Sequence, residues 1–239
     1  MNEIKSNQIK SNKIKLLFAA FLFASATAIL LKHSTNRDPE VSNSVKEELR
    51  KSVESFQVPK LKIQSMVVQI QSEFQGKKDL PKIEVHYFKS VDTLYILKEG
   101  QDGAKELSLL GFFQLWQLSN AGLHKRVLVE VNLPNLSNLE RPNTIFSFRE
   151  KYRTEIKSEN HYAEYLSTCK TGKVMQASEI HKNIPGNAIM ITCKTKLEGT
   201  PGSKSRGYYF PSLGWYFVTD FENDFYKGKY EIISVILSQ

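Results

Sequence analysis

Six strand-like segments in the C-terminal half constrain the fold more than any other feature of this chain. Each segment is rich in β-branched or aromatic residues and is bounded by turn residues, as at Pro185-Gly186. Short strands at this spacing are typical of antiparallel sandwiches and small barrels, so we predict one of these over residues 144–239. The predicted strands are Thr144–Ile156, Tyr162–Cys169, Ala188–Thr195, Arg206–Phe210, Gly214–Phe221 and Lys229–Leu237.

The last of these strands carries apolar residues on both of its faces. Tyr230 and Ile232 fall on one face, and Ile233 and Val235 fall on the other. A strand that is apolar on both faces is normally covered on both. We therefore predict that the C-terminal strand lies inside the sheet and is covered on each side.

Residues 60–132 combine helical and strand patterns. The apolar spacing over 61–76 fits a helix, although its β-branched residues also suit a strand, and we predict the helix. A second helix is predicted over 107–118. Interleaved helices and strands predict a small α+β unit over this range. The predicted strands are Ile83–Tyr87, Thr93–Leu97 and Arg126–Asn132.

Two connecting regions flank this unit. Before it, Ser44 and Glu47 form a capping-box pattern, and Val45, Leu49 and Val53 repeat at helical spacing, which predicts an amphipathic helix. After it, the segment 133–143 contains two prolines and three regularly spaced leucines. A single copy of such a leucine pattern cannot bury a repeat core, so we predict a loop between two halves.

The stretch Leu16–Leu31 is apolar and follows a segment with four lysines and one glutamate. This order is typical of a secretory signal, which a signal peptidase would cleave near Ala26. It is also typical of a membrane anchor that keeps the N-terminus in the cytoplasm. We prefer the anchor because Ile29, Leu30 and Leu31 extend the apolar run. Either alternative carries the rest of the chain out of the cytoplasm, to the periplasm if the cell is Gram-negative.

These patterns together predict an α+β chain with four parts. Residues 1–32 form a signal peptide or signal anchor, and residues 33–59 form a linker and the amphipathic helix. Residues 60–132 form the small α+β unit, and residues 144–239 form the β-rich domain, a sandwich or small barrel.

The formal charge of +8 raises the question of a nucleic-acid partner. Residues 1–28 account for four lysines and one glutamate, so the remainder carries +5, and its basic residues are spread along the sequence. A nucleic-acid-binding face would need them clustered. Nucleic acid is therefore not the predicted partner.

The chain contains two cysteines, Cys169 and Cys193. An even number of cysteines in an exported region favours a disulfide over free thiols. We predict that these two residues form a bridge.

Aromatic residues are concentrated between Tyr208 and Tyr230. The alternation of Trp215, Phe217 and Phe221 indicates that most of them fill the core. Those near turns are the predicted ligand contacts, and they are Tyr208, Tyr209, Phe225 and Tyr226.

Sequence patterns for catalysis or metal binding are weak. His161 and Glu164 could share a metal only if their segment were helical, and a calcium-loop register from Asp220 to Glu231 has Phe225 where glycine is required. No nucleophile elbow, phosphate loop or dinucleotide fingerprint is present. We predict no metal and no cofactor, and no known family is resembled.

Two functional hypotheses follow. The first is an exported or membrane-anchored envelope protein that acts as a binding module for a protein or glycan, for example as an inhibitor or immunity-type protein, with the membrane contacted through residues 16–31. The alternative is a cell-envelope hydrolase with a site near His161 and His181. The absence of catalytic patterns favours the first.

Overall fold

The described part of the chain is built on one antiparallel sheet. The structure is a computed structural model, and it describes residues 41–54, 56, 65–74, 83–89, 95–100, 104–118, 124–156, 158–197 and 202–238. One helix, α1 (Asn43–Glu54), precedes the sheet. The strands are β1 (Ser65–Phe74), β2 (Ile83–Lys89), β3 (Tyr95–Gly100), β4 (Lys105–Leu109), β5 (Phe113–Leu118), β6 (His124–Asn132), β7 (Ile145–Ile156), β8 (Glu159–Gln176), β9 (Asn187–Leu197), β10 (Ser203–Phe210), β11 (Trp215–Glu222) and β12 (Lys227–Ser238).

The sheet has a simple meander order and closes on itself. Each strand pairs with its neighbours in sequence, and β1 also pairs with β12, so the twelve strands form a closed barrel. The predicted α+β class is therefore wrong, because strands from both 60–132 and 144–239 belong to this one sheet and meet where β6 pairs with β7.

Two predicted helices are strands in the structure. Within the range 61–76, the described residues form β1 (Ser65–Phe74), in which alternate residues Met66, Val68 and Ile70 are buried. Over 107–118 it forms the hairpin β4–β5, whose turn places Leu110 at φ 56° and Gly111 at φ 66°. Two consecutive residues with positive φ make a tight hairpin turn, which no helix can contain.

The remaining predicted elements are confirmed. All six C-terminal strands are present, as are the strands near residues 83, 95 and 126. Helix α1 also forms, and its Val45 and Leu49 are fully buried. Its cap is Ser42 rather than Ser44, since Ser42 Oγ accepts from Val45 N at 3.3 Å.

The proposed membrane segment, Leu16–Leu31, lies outside the described residues. Within the residues that are described, no helix combines the length and apolar character needed to cross a membrane.

The side chains pack into two cores. The first joins α1 to the barrel and includes Leu49, Leu128, Phe148 and the cysteines. The connection between β6 and β7 adds Leu136 and Leu139 to it through a 3₁₀ turn, Leu136–Leu139. The second core contains Met66, Val68, Ile70, Ile96, Ala177, Ile184, Ala188, Phe210, Leu213, Trp215, Phe217, Ile232 and Val235.

Strand β12 lies inside the sheet, between β1 and β11, but it is not covered on both faces. Ile232 and Val235 are buried, whereas Ile236 is 62% exposed. The pairing with β1 shifts by one residue near Ile233, between the partners of Gln69 and Ile70. This bulge lets two residues three apart point to the same side, which explains the apolar pattern that suggested two covered faces.

Candidate binding face

Strand register gathers basic side chains on the side of β7–β10 that faces away from the first core. Lys204 lies directly opposite Lys194, and Lys194 lies opposite Thr168. Because directly opposed residues share a face, these side chains form a row across three strands. We call the set of exposed basic residues on this side the basic face: Arg149, Lys170, Lys194, Lys196, Lys204 and Arg206.

Most of this charge is not neutralised within the described residues. Arg149 Nε pairs with Glu164 Oε1 at 3.2 Å. In the described part of the chain, the other five members have no ion-pair partner. Like charges directly opposite each other, as at Lys194 and Lys204, destabilise a sheet. Their presence is therefore not explained by stability.

Acidic residues border the basic face on β11. Asp220 lies opposite Arg206, and Glu222 lies opposite Lys204. Glu222 instead pairs with Lys227 at 3.7 Å, and Asp220 Oδ2 accepts a hydrogen bond from Thr219 Oγ1 at 2.8 Å. These carboxylates mark the edge of the positive region without neutralising it.

A groove of about 640 Å³ opens on the basic face. Leu166, Lys194, Lys196 and Lys204 line it from the basic face, together with the carboxylate of Glu164, and Leu197 of the opposite side of β9 adds apolar surface. The groove combines apolar area with three ammonium groups and one carboxylate, an arrangement that suits an anionic partner with an apolar part.

The disulfide lies directly behind this surface. Cys169 and Cys193 are opposed residues of β8 and β9, their Cα atoms are 4.1 Å apart, and their sulfur atoms are bonded. Both side chains are buried in the first core. The predicted bridge is confirmed, and it joins two central strands of the basic face.

The four aromatic contact candidates are not brought together. Tyr208 follows Arg206 on the same side of β10 and is half-buried against the second core, whereas Tyr209 points to the opposite side and is fully buried. Phe225 is exposed in the β11–β12 turn, and Tyr226 stacks on Phe221 with ring centroids 5.1 Å apart. Of the four, only Tyr208 lies on the basic side of β7–β10, and the turn that carries Phe225 and Tyr226 follows Glu222 at its acidic border.

The histidines suggested for catalysis are also separated. His161 is exposed near the start of β8, with Nε2 3.8 Å from Glu159 Oε2. Glu164 falls on the other side of this strand, so the helical arrangement needed for a shared metal is absent. His181 follows the far end of β8, on the order of 50 Å away along the strand. No group of three potential metal ligands occurs within the described ranges.

A buried polar cluster lies on the core side of β7. Tyr152 Oη is 2.9 Å from Glu150 Oε1 and 2.9 Å from the Gln114 carbonyl oxygen. The Arg126 guanidinium stacks over Tyr152, with Cζ 3.9 Å from the ring centroid, and lies 4.8 Å from that of Tyr165. Burial raises the pKa of Glu150 to about 7, and the Tyr152 hydrogen bond and the Arg126 charge offset part of that rise.

The basic face was missed by reasoning from sequence, although a local signal exists. The pattern Lys194-Thr195-Lys196 runs past the end of the predicted strand Ala188–Thr195, and the pattern Lys204-Ser205-Arg206 leads into the predicted strand Arg206–Phe210, with lysine or arginine at every second residue. Such spacing puts each pair on one face of its own strand.

No protein-family model and no curated protein matches this chain. Among solved structures, the chain is similar to the crystal structure of the hypothetical lipoprotein YmcC from Escherichia coli K12. The two share 12% sequence identity and a TM-score of 0.44 over 83% of this chain and 97% of that one. A likeness at this level indicates neither the function nor the location of this protein.

Proposed function

We propose that this chain is an exported binding protein that captures an anionic partner on its basic face. The observation that carries this proposal is the set of five exposed cations without ion-pair partners among the described residues: Lys170, Lys194, Lys196, Lys204 and Arg206. Charge held in one place at a cost to sheet stability favours a role in recognition.

Two further features support export. The apolar stretch Leu16–Leu31 follows a lysine-rich segment, as in secretory signals and anchors. The Cys169–Cys193 disulfide would persist in an oxidising compartment outside the cytoplasm. Both features support a location outside the cytoplasm, whether the segment is cleaved or retained.

The alternative of a hydrolase receives less support from the geometry. His161 and His181 lie at opposite ends of β8 and cannot share one site. Glu150, a carboxyl group whose pKa burial raises to about 7, is buried rather than presented in an open pocket. Binding is the function that the arrangement favours, and an inhibitor or immunity-type role remains a prediction within it.

The proposal is tested by binding of a soluble anionic probe, a fluorescent heparin oligosaccharide, to the full-length protein. We expect binding that weakens with salt and that falls about 100-fold in the variant K194Q/K196Q/K204Q. The estimate assigns about 1 kcal/mol to each lysine close to a dense anionic surface. Glutamine retains most of the side-chain length and removes only the charge.

The matched control is K46Q/K51Q/K182Q, which removes three exposed charges away from the basic face. It should bind the probe within about twofold of the wild type, since charges beyond a Debye length of about 8 Å are screened. Equal weakening by both variants would show that net charge alone attracts the probe and would overturn the assignment of the basic face. Detection of the chain only in the cytoplasm, by cell fractionation, would overturn export.

A further inference from the structure

Three large apolar side chains are exposed among the cations of the basic face. Ile145 is 67% exposed, Tyr162 is 61% exposed and Leu166 is 45% exposed. They make up half of the six large hydrophobic residues that are exposed in the described part of the chain. Their concentration on one side of two adjacent strands, β7 and β8, indicates a common role.

These apolar residues alternate with basic residues in the register of the sheet. Leu166 lies between Arg149 on β7 and Lys196 on β9, and Ile145 lies opposite Lys170. Positions 162, 166 and 170 follow each other along β8 at intervals of about 13 Å. The result is a mixed apolar and cationic surface rather than a purely electrostatic one.

We propose that the anionic partner is the surface of a membrane containing acidic phospholipids. This inference rests on the proposed function and specifies its partner. Lysine and arginine side chains would contact headgroup phosphates, while Ile145, Tyr162 and Leu166 enter the boundary between headgroups and acyl chains. A soluble anionic polymer would require the charges but would gain little from exposed isoleucine and leucine.

The charge and shape of the face fit this partner. Its six cations and one carboxylate, Glu164, give a net charge of +5. The strands lie about 4.8 Å apart, so β7–β10 present a surface about 15 Å across, over which several headgroups fit. The long lysine stems let the ammonium groups reach phosphates while the apolar side chains go deeper.

The test uses tryptophan at position 162 as a local depth probe in the full-length protein. Vesicles of phosphatidylglycerol and phosphatidylcholine carry bromine atoms on their acyl chains, which quench tryptophan that reaches the acyl boundary. We expect quenching in Tyr162→Trp, and no quenching with vesicles of brominated phosphatidylcholine alone. The matched control is Ile236→Trp, which places the probe at a 62% exposed position on β12, opposite β1 and away from β7–β10, and should not be quenched.

Two further variants separate this inference from the proposed function. The first variant adds I145Q/L166Q to Tyr162→Trp, and vesicle binding is measured from the lipid dependence of quenching. We expect vesicle binding to weaken about tenfold and heparin binding to stay unchanged. The second variant, K194Q/K196Q/K204Q, should weaken vesicle binding and heparin binding about 100-fold each.

Specific outcomes would overturn the inference. Heparin binding through the basic face without quenching at position 162 would exclude the membrane surface and leave the proposed function standing. Equal quenching at positions 162 and 236 would show attachment through another part of the chain. Absence of both heparin binding and quenching would overturn the proposed function as well.

Discussion

Glu150 illustrates at the scale of a residue how burial changes the chemistry of a carboxyl group. Tyr152 has one hydroxyl proton but two acceptors at 2.9 Å, the Gln114 carbonyl oxygen and Glu150 Oε1. A protonated Glu150 would donate to Tyr152 Oη while Tyr152 donates to the Gln114 carbonyl oxygen, so both 2.9 Å contacts would be hydrogen bonds. The raised pKa of Glu150, about 7, follows mainly from its burial.

This pKa predicts how stability depends on pH. The folded-state pKa of Glu150 is about 7, above the ordinary glutamate pKa of 4.5, so the folded state binds the proton more tightly than the unfolded state does. The associated stability is fully present below pH 4.5 and is lost as pH rises through 7. Glu150→Gln should remove this contribution, at most about 3 kcal/mol, from the pH dependence.

Urea unfolding of wild type and Glu150→Gln between pH 4.5 and 8 would measure the difference. The free energy of unfolding of wild type should fall more steeply across this range than that of the variant. The difference between the two proteins removes the contributions that all other titrating groups make to the pH dependence, because the substitution leaves those groups unchanged. Parallel curves would contradict the assignment of a raised pKa to Glu150.

At the scale of an element, the β4–β5 hairpin shows how tertiary contacts override a helical pattern. Its turn residue Leu110 is fully buried despite a positive φ, and its carbonyl oxygen accepts from Tyr216 N at 3.0 Å. A β-carbon added to Gly111 would lie 2.9 Å from the Trp215 ring. Contacts with β11, which is about a hundred residues away in the sequence, therefore stabilise this turn.

The pair β8–β9 yields a prediction about the disulfide. Replacing Cys169 and Cys193 with alanine should lower the free energy of unfolding by roughly 2–4 kcal/mol, because the unfolded chain would gain freedom in the loop between them. Urea unfolding of wild type, reduced wild type and the double variant would measure this. Heparin binding by the folded variant should not change, since both side chains point to the core.

Thiol labelling of denatured, unreduced wild type provides the check on the bridge itself. No label should be incorporated. Two labels per chain would contradict the bridge, and equal unfolding free energies of wild type and C169A/C193A would contradict its stabilising role.

At the scale of the whole molecule, closure of the sheet makes the two halves of the chain depend on each other. Phe148 of β7 packs on Phe113 of β5 with ring centroids 4.9 Å apart, and β12 pairs with β1 along ten residue pairs. The core of the C-terminal half is therefore completed by N-terminal strands and by α1.

This dependence predicts that residues 144–239 do not fold alone. The isolated fragment would expose Phe146, Phe148 and Val235 to water and would leave two unpaired strand edges. We expect poor chemical-shift dispersion and no cooperative unfolding, whereas the full-length protein should show both. A folded fragment with a sharp unfolding transition would support an independent β-rich domain instead.

Sequence by itself determined the elements whose local pattern is unambiguous. The apolar spacing of Val45 and Leu49 predicted α1, and alternation with turn residues predicted all six C-terminal strands. The parity of the cysteines predicted the Cys169–Cys193 bridge. Each of these inferences depends on a period, a turn or a count that can be read within a short segment.

Only the tertiary structure decided the fold class and the basic face. The intrinsic preference for helix or strand in a short apolar run such as 61–76 is small, so pairing with β12 determined its conformation. Likewise, alternation shows that Lys194 and Lys196 share one face of β9, but not that Lys204 lies beside them. Register and turn geometry set the relation between strands, and these depend on contacts distant in sequence. A charge that is dispersed along the sequence therefore becomes one surface only when the sheet forms.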